Sequence, residues 1–150
     1  MTAAELETYL HDHIPLSRAM VVHVVSVADD RIVLGAPLAP NINHRDTVFG
    51  GSAAAVATLA AWSLLHLRLT AAGLPSRVVI QSSSMDYLAP MAADFIASAV
   101  LDPGADWDGF VRMLARRGRA RIALQAELTC EGQTAGRFRG EFVAFGKDRL

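Results

Sequence analysis

Three residues able to move or steer a proton stand just ahead of a glycine pair. Asn43, His44 and Asp46 lie in NINHRDTVFGGS, residues 41–52, which ends on Gly50, Gly51 and Ser52. A neutral imidazole or an ionised carboxylate can take a proton from water, and an asparagine amide can orient a water or a carbonyl. The glycines open a stretch, Val48–Leu67 (VFGGSAAAVATLAAWSLLHL), that contains no Asp, Glu, Lys or Arg. Alanine and leucine are strong helix formers. The first N–H groups of a helix have no internal acceptor and carry partial positive charge. Glycine leaves them open to approach. A carbonyl held there gains stabilisation as it becomes an oxyanion, about 3 kcal/mol for one donor. The plainer alternative is that the glycines only permit a tight turn. On that reading Asn43 forms a turn, His44 is solvated and Arg45 pairs with Asp46.

Other candidates lie further along the chain. Thr58, inside the apolar stretch, could position a water, though a hydroxyl is no base unaided; it could equally bond back to the carbonyl of Ala54. Ser82, Ser83 and Ser84 interrupt an extended segment, and alternation puts Ser83 on the face opposite the other two. A polar group facing a helix or a cleft needs a partner, such as water, Thr58 or a ligand. Serine packed where only a small side chain fits is the alternative. Arg116, Arg117, Arg119 and Arg121 form the strongest basic cluster. Arginine forks match phosphates, with Arg119 and Arg121 on one strand face; a charged sheet edge that resists pairing is the competing account. His11, His13, His23 and His66 show no metal-ligand spacing. Neither a phosphate-binding loop nor a GxSxG elbow occurs, so no metal and no cofactor is expected.

The elements that must position these residues follow from patterning. Thr2 caps a helix over residues 3–13 with Glu5 in its first turn, and Pro15 ends it or forces a turn nearby. Residues 20–28 and 31–36 read as strands joined at Asp29-Asp30. Residues 37–45 are a loop leading into the apolar helix, which Gly73-Leu74-Pro75 stops. Such a helix, apolar all round, is expected to be buried on every side. Residues 77–88 and 95–101 are strands, 110–117 a short helix, and 119–130 and 134–145 two more strands about a turn at Glu131-Gly132-Gln133. The expected architecture is α+β: about six antiparallel strands curved around one long central helix.

The 150 residues fit one domain with a real core, and 52% hydrophobic against 19% charged residues describes a globular chain. A formal net charge of −1 gives no reason to expect nucleic acid or an anionic membrane as partner. The single cysteine, Cys130, fits a reducing cytoplasm, and the N-terminus lacks a signal-peptide pattern. Val48–Leu67 has the length of a membrane span, but its first half is Ala, Gly, Ser and Thr, and the rest of the chain alternates like a sheet needing something to cover.

NH..TVFGGS, ATLAAW, YLAP, DF.A and GRARI, taken in order over most of the chain, resemble the hotdog-fold acyl-CoA thioesterases, and within them the thioesterase domain of the YiiD C-terminal type. The resemblance implies a hotdog fold, an acyl thioester of coenzyme A or acyl-carrier protein as ligand, and a homodimer or tetramer with shared sites. Asn43 lies six residues before Phe49, where several such enzymes keep an active-site asparagine. Many place an acid nine residues after Phe49; here that position is Thr58. Asp46, His44 or Asp86 must then supply the base, or Thr58 only holds a water, or the protein binds a thioester without cleaving it. A dehydratase on this fold needs a helix acid that is absent.

Overall fold

The computed structural model describes residues 1–146. Helix α1 spans Ala3–His13, and the Thr2 hydroxyl accepts from the Glu5 amide at 3.1 Å, as its position predicts. Pro15 opens a second short helix, α2, Pro15–Ala19, where its missing N–H costs nothing. Leu6 and Leu10 on α1 are wholly buried. Strand β1 (His23–Val27) starts later than the sequence suggests, because Val21 turns the chain at φ 55°. Strand β2 (Ile32–Ala36) pairs with it and leads through a 3-10 turn, Ala39–Asn41, to the central helix.

That helix, α3, runs from Gly50 to Ala71. Its end is a Schellman motif: Gly73 takes φ 74°, its amide bonds Thr70 O at 3.1 Å, and Leu74 N bonds Leu69 O at 2.9 Å. Strands β3 (Ser76–Tyr87), β4 (Phe95–Leu101), β5 (Arg119–Cys130) and β6 (Gln133–Gly146) complete the fold, with helix α4 (Trp107–Arg117) before β5. Helix α4 begins a turn earlier than residue 110, since the Asp106 carboxylate caps it through Gly109 N at 3.0 Å. The β5–β6 hairpin turns on Glu131 and Gly132, both at positive φ, as a two-residue primed turn requires.

The six strands form one antiparallel sheet in the order β1-β2-β4-β5-β6-β3. Helix α3 lies across β2 to β6. Ile32, Leu34, Phe95, Ile122, Leu124, Leu128 and Phe142 meet Leu59, Leu64, Leu65 and Leu69 of the helix in the core. Each such buried side chain contributes about 1.5–3 kcal/mol. Alanines on both sides (Ala57, Ala60 and Ala61 against Ala97, Ala99 and Ala126) let helix and sheet approach closely. Thus α3, although long and apolar enough to cross a membrane, is the rod the sheet curves around.

One expectation is corrected. The helix is not buried on every side: Gly51 is exposed, and Ala55, Thr58 and Trp62 are only half-buried. Spaced by four, three and four residues, these share one face. The sheet ends at β3 and does not wrap far enough to cover it.

Candidate functional site

The start of α3 is pinned from two sides. Phe49, the N-cap, donates its amide to Asn41 O at 2.7 Å, and Val48 donates to Met91 O at 2.8 Å. The first helical hydrogen bond runs from Ala53 N to Phe49 O at 3.1 Å. The amides of Gly50, Gly51 and Ser52 precede it, and no side chain among the described residues caps them. Gly51 is exposed, and Gly50 and Ser52 are partly so. Two exposed aromatic rings flank them. The Tyr87 hydroxyl donates to Gly50 O at 3.1 Å, and a Cβ on Gly50 would sit 3.3 Å from the Tyr87 ring. A Cβ on Gly51 would collide with the Phe49 ring. Gly50 and Gly51 therefore admit the two rings while leaving an open, positively polarised helix end.

Ahead of this end, Ile42 and Val48 form an isolated antiparallel bridge, and Asn43 N bonds Thr47 O at 2.8 Å. Residues 43–47 thus make a small hairpin. Asn43 builds it: its Nδ2 donates to Thr47 Oγ1 at 2.9 Å, and its Oδ1 accepts from Arg45 N at 2.8 Å and Thr47 N at 3.2 Å. Three hydrogen bonds tie the amide into its own turn, so Asn43 shapes the loop. His44 and Asp46 stand exposed at the hairpin tip, Asp46 at φ 62°. Among the described residues, no ion pair joins Arg45 to Asp46.

Thr58 donates its hydroxyl to Ala54 O at 2.8 Å. This is the back-bonded alternative, and it spends the hydroxyl proton on the helix's own backbone. Ser83 lies opposite Gly140, between Phe138 and Phe142 on the helix side of β6, so it faces the helix side of the sheet. It is exposed all the same, because β3 is an edge strand. On the other face, Ser82 donates to Glu141 Oε2 at 3.3 Å, and Asp86 stands opposite Arg137.

Within one chain Arg119 and Arg121 lie on one strand face, as their alternation predicts, and away from the glycine pair. They alternate with the core residues Ala120 and Ile122 and so face away from α3. Through β6 they register with Arg77 and Val79, at the end of β3 remote from Tyr87. Arg121 donates to Gln81 Oε1 at 3.2 Å, and the Arg119 guanidinium lies 5.5 Å from the Phe145 ring centre. No group of three or more His, Cys, Asp or Glu among the described residues is placed to hold a metal ion.

Two features escaped the sequence reading. Asn41 is 2% exposed; its Nδ2 donates to Met20 O at 2.9 Å and Pro37 O at 2.8 Å, while its Oδ1 has no partner among the described residues. Its backbone anchors the N-cap, so it is the joint between the first strands and α3. An apolar trough of about 450 Å³ runs along the open face of α3, walled by Ala55, Thr58, Trp62, Val79, Ile80 and Leu16. The alternation of Ala, Thr and Trp at helical spacing was its only trace in the sequence.

The family model described as "Putative thioesterase (yiiD_Cterm)" matches residues 3–146. The chain belongs to this thioesterase family. Its architecture is the hotdog fold, and solved structures agree. A protein of unknown function from Chlorobaculum tepidum is 27% identical, with a TM-score of 0.89 over 97% of this chain and 94% of that one. A "putative thioesterase" from Shewanella oneidensis is 28% identical, with a TM-score of 0.84 over 95% of this chain and 96% of that one. A thioesterase from Haemophilus influenzae, 15% identical, shares the fold at a TM-score of 0.78 over 97% of this chain and 92% of that one.

Proposed function

We propose that this member of the family hydrolyses an acyl thioester, of coenzyme A or of an acyl-carrier protein, at the N-terminus of α3. The observation that carries the reading is the start of α3 at Gly50–Ser52, where no side chain among the described residues caps the amides and Gly51 is exposed. The thioester carbonyl docks on these donors. Water adds to its carbon, the oxygen takes the negative charge on the amides, and His44 or Asp46 at the hairpin tip accepts the water proton. Collapse of the adduct breaks the C–S bond, and the same group returns the proton to the departing thiolate. Asn43 holds the hairpin, while Thr58 and Ser83 contribute through contact with substrate or water along the helix side.

The site is completed by a second copy. Among the described residues, strand β3 leaves one edge unpaired along its 12 residues, and Val79, Ile80, Tyr87 and Leu88 beside it are exposed. Long apolar edges of this kind are covered in native proteins. Antiparallel pairing of two β3 strands about Ser82 sets the Arg77 end of one copy beside the Tyr87 end of the other. Arg119 and Arg121 of that copy then approach the helix end from outside, where arginine forks meet coenzyme phosphates. Sedimentation should give a dimer or tetramer that Ile80→Asp dissociates; a monomeric wild type refutes this part. The reducing cytoplasm is the compartment proposed for it.

Thiol release from a panel of acyl-CoAs tests the chemistry. His44→Ala or Asp46→Asn should abolish turnover while leaving the fold intact; turnover unaffected by both removes the tip residues from the mechanism. A second reading, binding without cleavage, is favoured by one observation: α3 carries no carboxylate, and the Thr58 hydroxyl is already committed to Ala54. Ligand-induced stabilisation without thiol release would establish it.

A further inference from the structure

The trough beside α3 has a beginning, a floor and an end, and each is set by named residues. It starts one helical turn past Gly51, at Ala55, on the face that Gly51 shares. Its floor is small: Ala55, then Thr58, whose hydroxyl is folded back onto Ala54 O so that no donor points outward. Its wall on the β3 side is Ile80, apolar and 39% exposed, in register with the buried Phe142. Its volume, about 450 Å³, is that of a small-ligand site.

The far end is Trp62, and its ring is fixed. The indole Nε1 donates to Val78 O at 3.0 Å. Behind it, His66 stacks at 4.8 Å and 10°, Tyr9 stacks on His66 at 5.2 Å, and His13 stacks on Tyr9 at 4.1 Å. The ring is thus tied to the sheet edge and backed by three further rings from two helices. It cannot swing aside as a surface tryptophan would.

We propose that Trp62 is the specificity-determining end-stop of an acyl channel and limits the substrate to medium-length chains. This deepens, and rests on, the thioester reading of the helix end. Gly51 to Trp62 is eleven residues, or about 16 Å of helix, and the side chain leans roughly a turn back toward the N-terminus, leaving about 11–16 Å. An extended alkyl chain of C–C bonds near 1.5 Å advances about 1.25 Å per carbon, so roughly 9 to 13 carbons fit. A headgroup or a charged partner finds nothing to pair with along this lining, whereas an alkyl chain buries against all of it.

The test is a chain-length series of straight-chain acyl-CoAs, about 4 to 16 carbons, with wild type, Trp62→Ala and Ala55→Leu. Wild-type kcat/KM should climb by up to about fourfold per methylene buried, then break near the limit. Trp62→Ala should move the break to longer chains by about four carbons. Ala55→Leu, which fills the floor without touching the stack, should move it to shorter ones, through KM for the longer chains. Superimposed profiles overturn the end-stop, as they would if a second copy of the chain filled the trough. If wild type releases no thiol, the hydrolytic reading fails separately. Melting-temperature shifts with non-cleavable acyl-CoA thioethers of the same lengths then decide: the same three-way order sustains the end-stop, and its absence overturns it.

Discussion

Replacing Gly51 by alanine separates what the helix end does for folding from what it does for chemistry. The added Cβ collides with the Phe49 ring. Phe49 is 56% exposed, so the ring can turn away. Displacing it costs about 0.5–1.5 kcal/mol, while alanine gains up to about 1 kcal/mol over glycine in a helix. Net stability should stay within about 1 kcal/mol of wild type, a melting shift of only about 2–4 °C. Activity should respond differently. The methyl, and the ring it pushes aside, stand where a carbonyl must approach the amides of residues 50–52. Losing one such donor removes about 2.7–4 kcal/mol of transition-state stabilisation, or 10²- to 10³-fold in kcat. The assay is thiol release from an acyl-CoA, run beside a thermal melt of the same preparation. A folded Gly51→Ala variant turning over within about threefold of wild type would refute the carbonyl seat at the start of α3.

Two further outcomes follow from the stacked rings and from Asn41. Burial, with a smaller contribution from the charge of His13, lowers the His66 pKa below its ordinary 6.5. The unfolded chain then binds the proton more readily than the folded one, so stability present above pH 6.5 falls as pH drops toward the lowered value and changes no further beneath it. Urea midpoints between mildly alkaline and mildly acidic pH should show this slope, and His66→Gln should flatten it; an unchanged slope would mean that another group carries the dependence. Asn41→Ala removes both donors to Met20 O and Pro37 O at a site 2% exposed. With about 1–3 kcal/mol for each of the two acceptors left unmade, a loss of about 2–6 kcal/mol is expected by urea unfolding, and a smaller change would mean that water replaces the amide.

Local rules made much of the fold legible. The Thr2 cap, the positive-φ turn at Glu131-Gly132, the Schellman stop at Gly73 and the alternation of β5 each depend on a few neighbouring residues, and each formed where the sequence placed it. The glycine pair at the start of an apolar helix was equally plain, because the orphan amides of a helix end follow from its geometry alone. The functional use of the polar residues was not. Asn43 and Thr58 could each serve a ligand or their own backbone, and the acceptor close at hand prevailed: Thr47 for one and Ala54 O for the other.

Distance in space was the remaining unknown. Arg119 and Arg121 have the right chemistry for phosphates, but sheet register turned them outward beside Val79 and Arg77, away from Gly50. Tyr87, 37 residues after Gly50, arrived at the helix end for the same reason: β3 runs back along α3. The composition of α3 dictated burial, yet its length of sheet cover did not follow from composition. A six-stranded sheet ending at β3 leaves the Gly51–Ala55–Thr58–Trp62 face open. The sequence by itself determined which segments are helix, which are strand, and where a polarised helix end would lie. Only the tertiary structure decided what faces that end, because side-chain partners are chosen by register and packing between segments far apart in the chain.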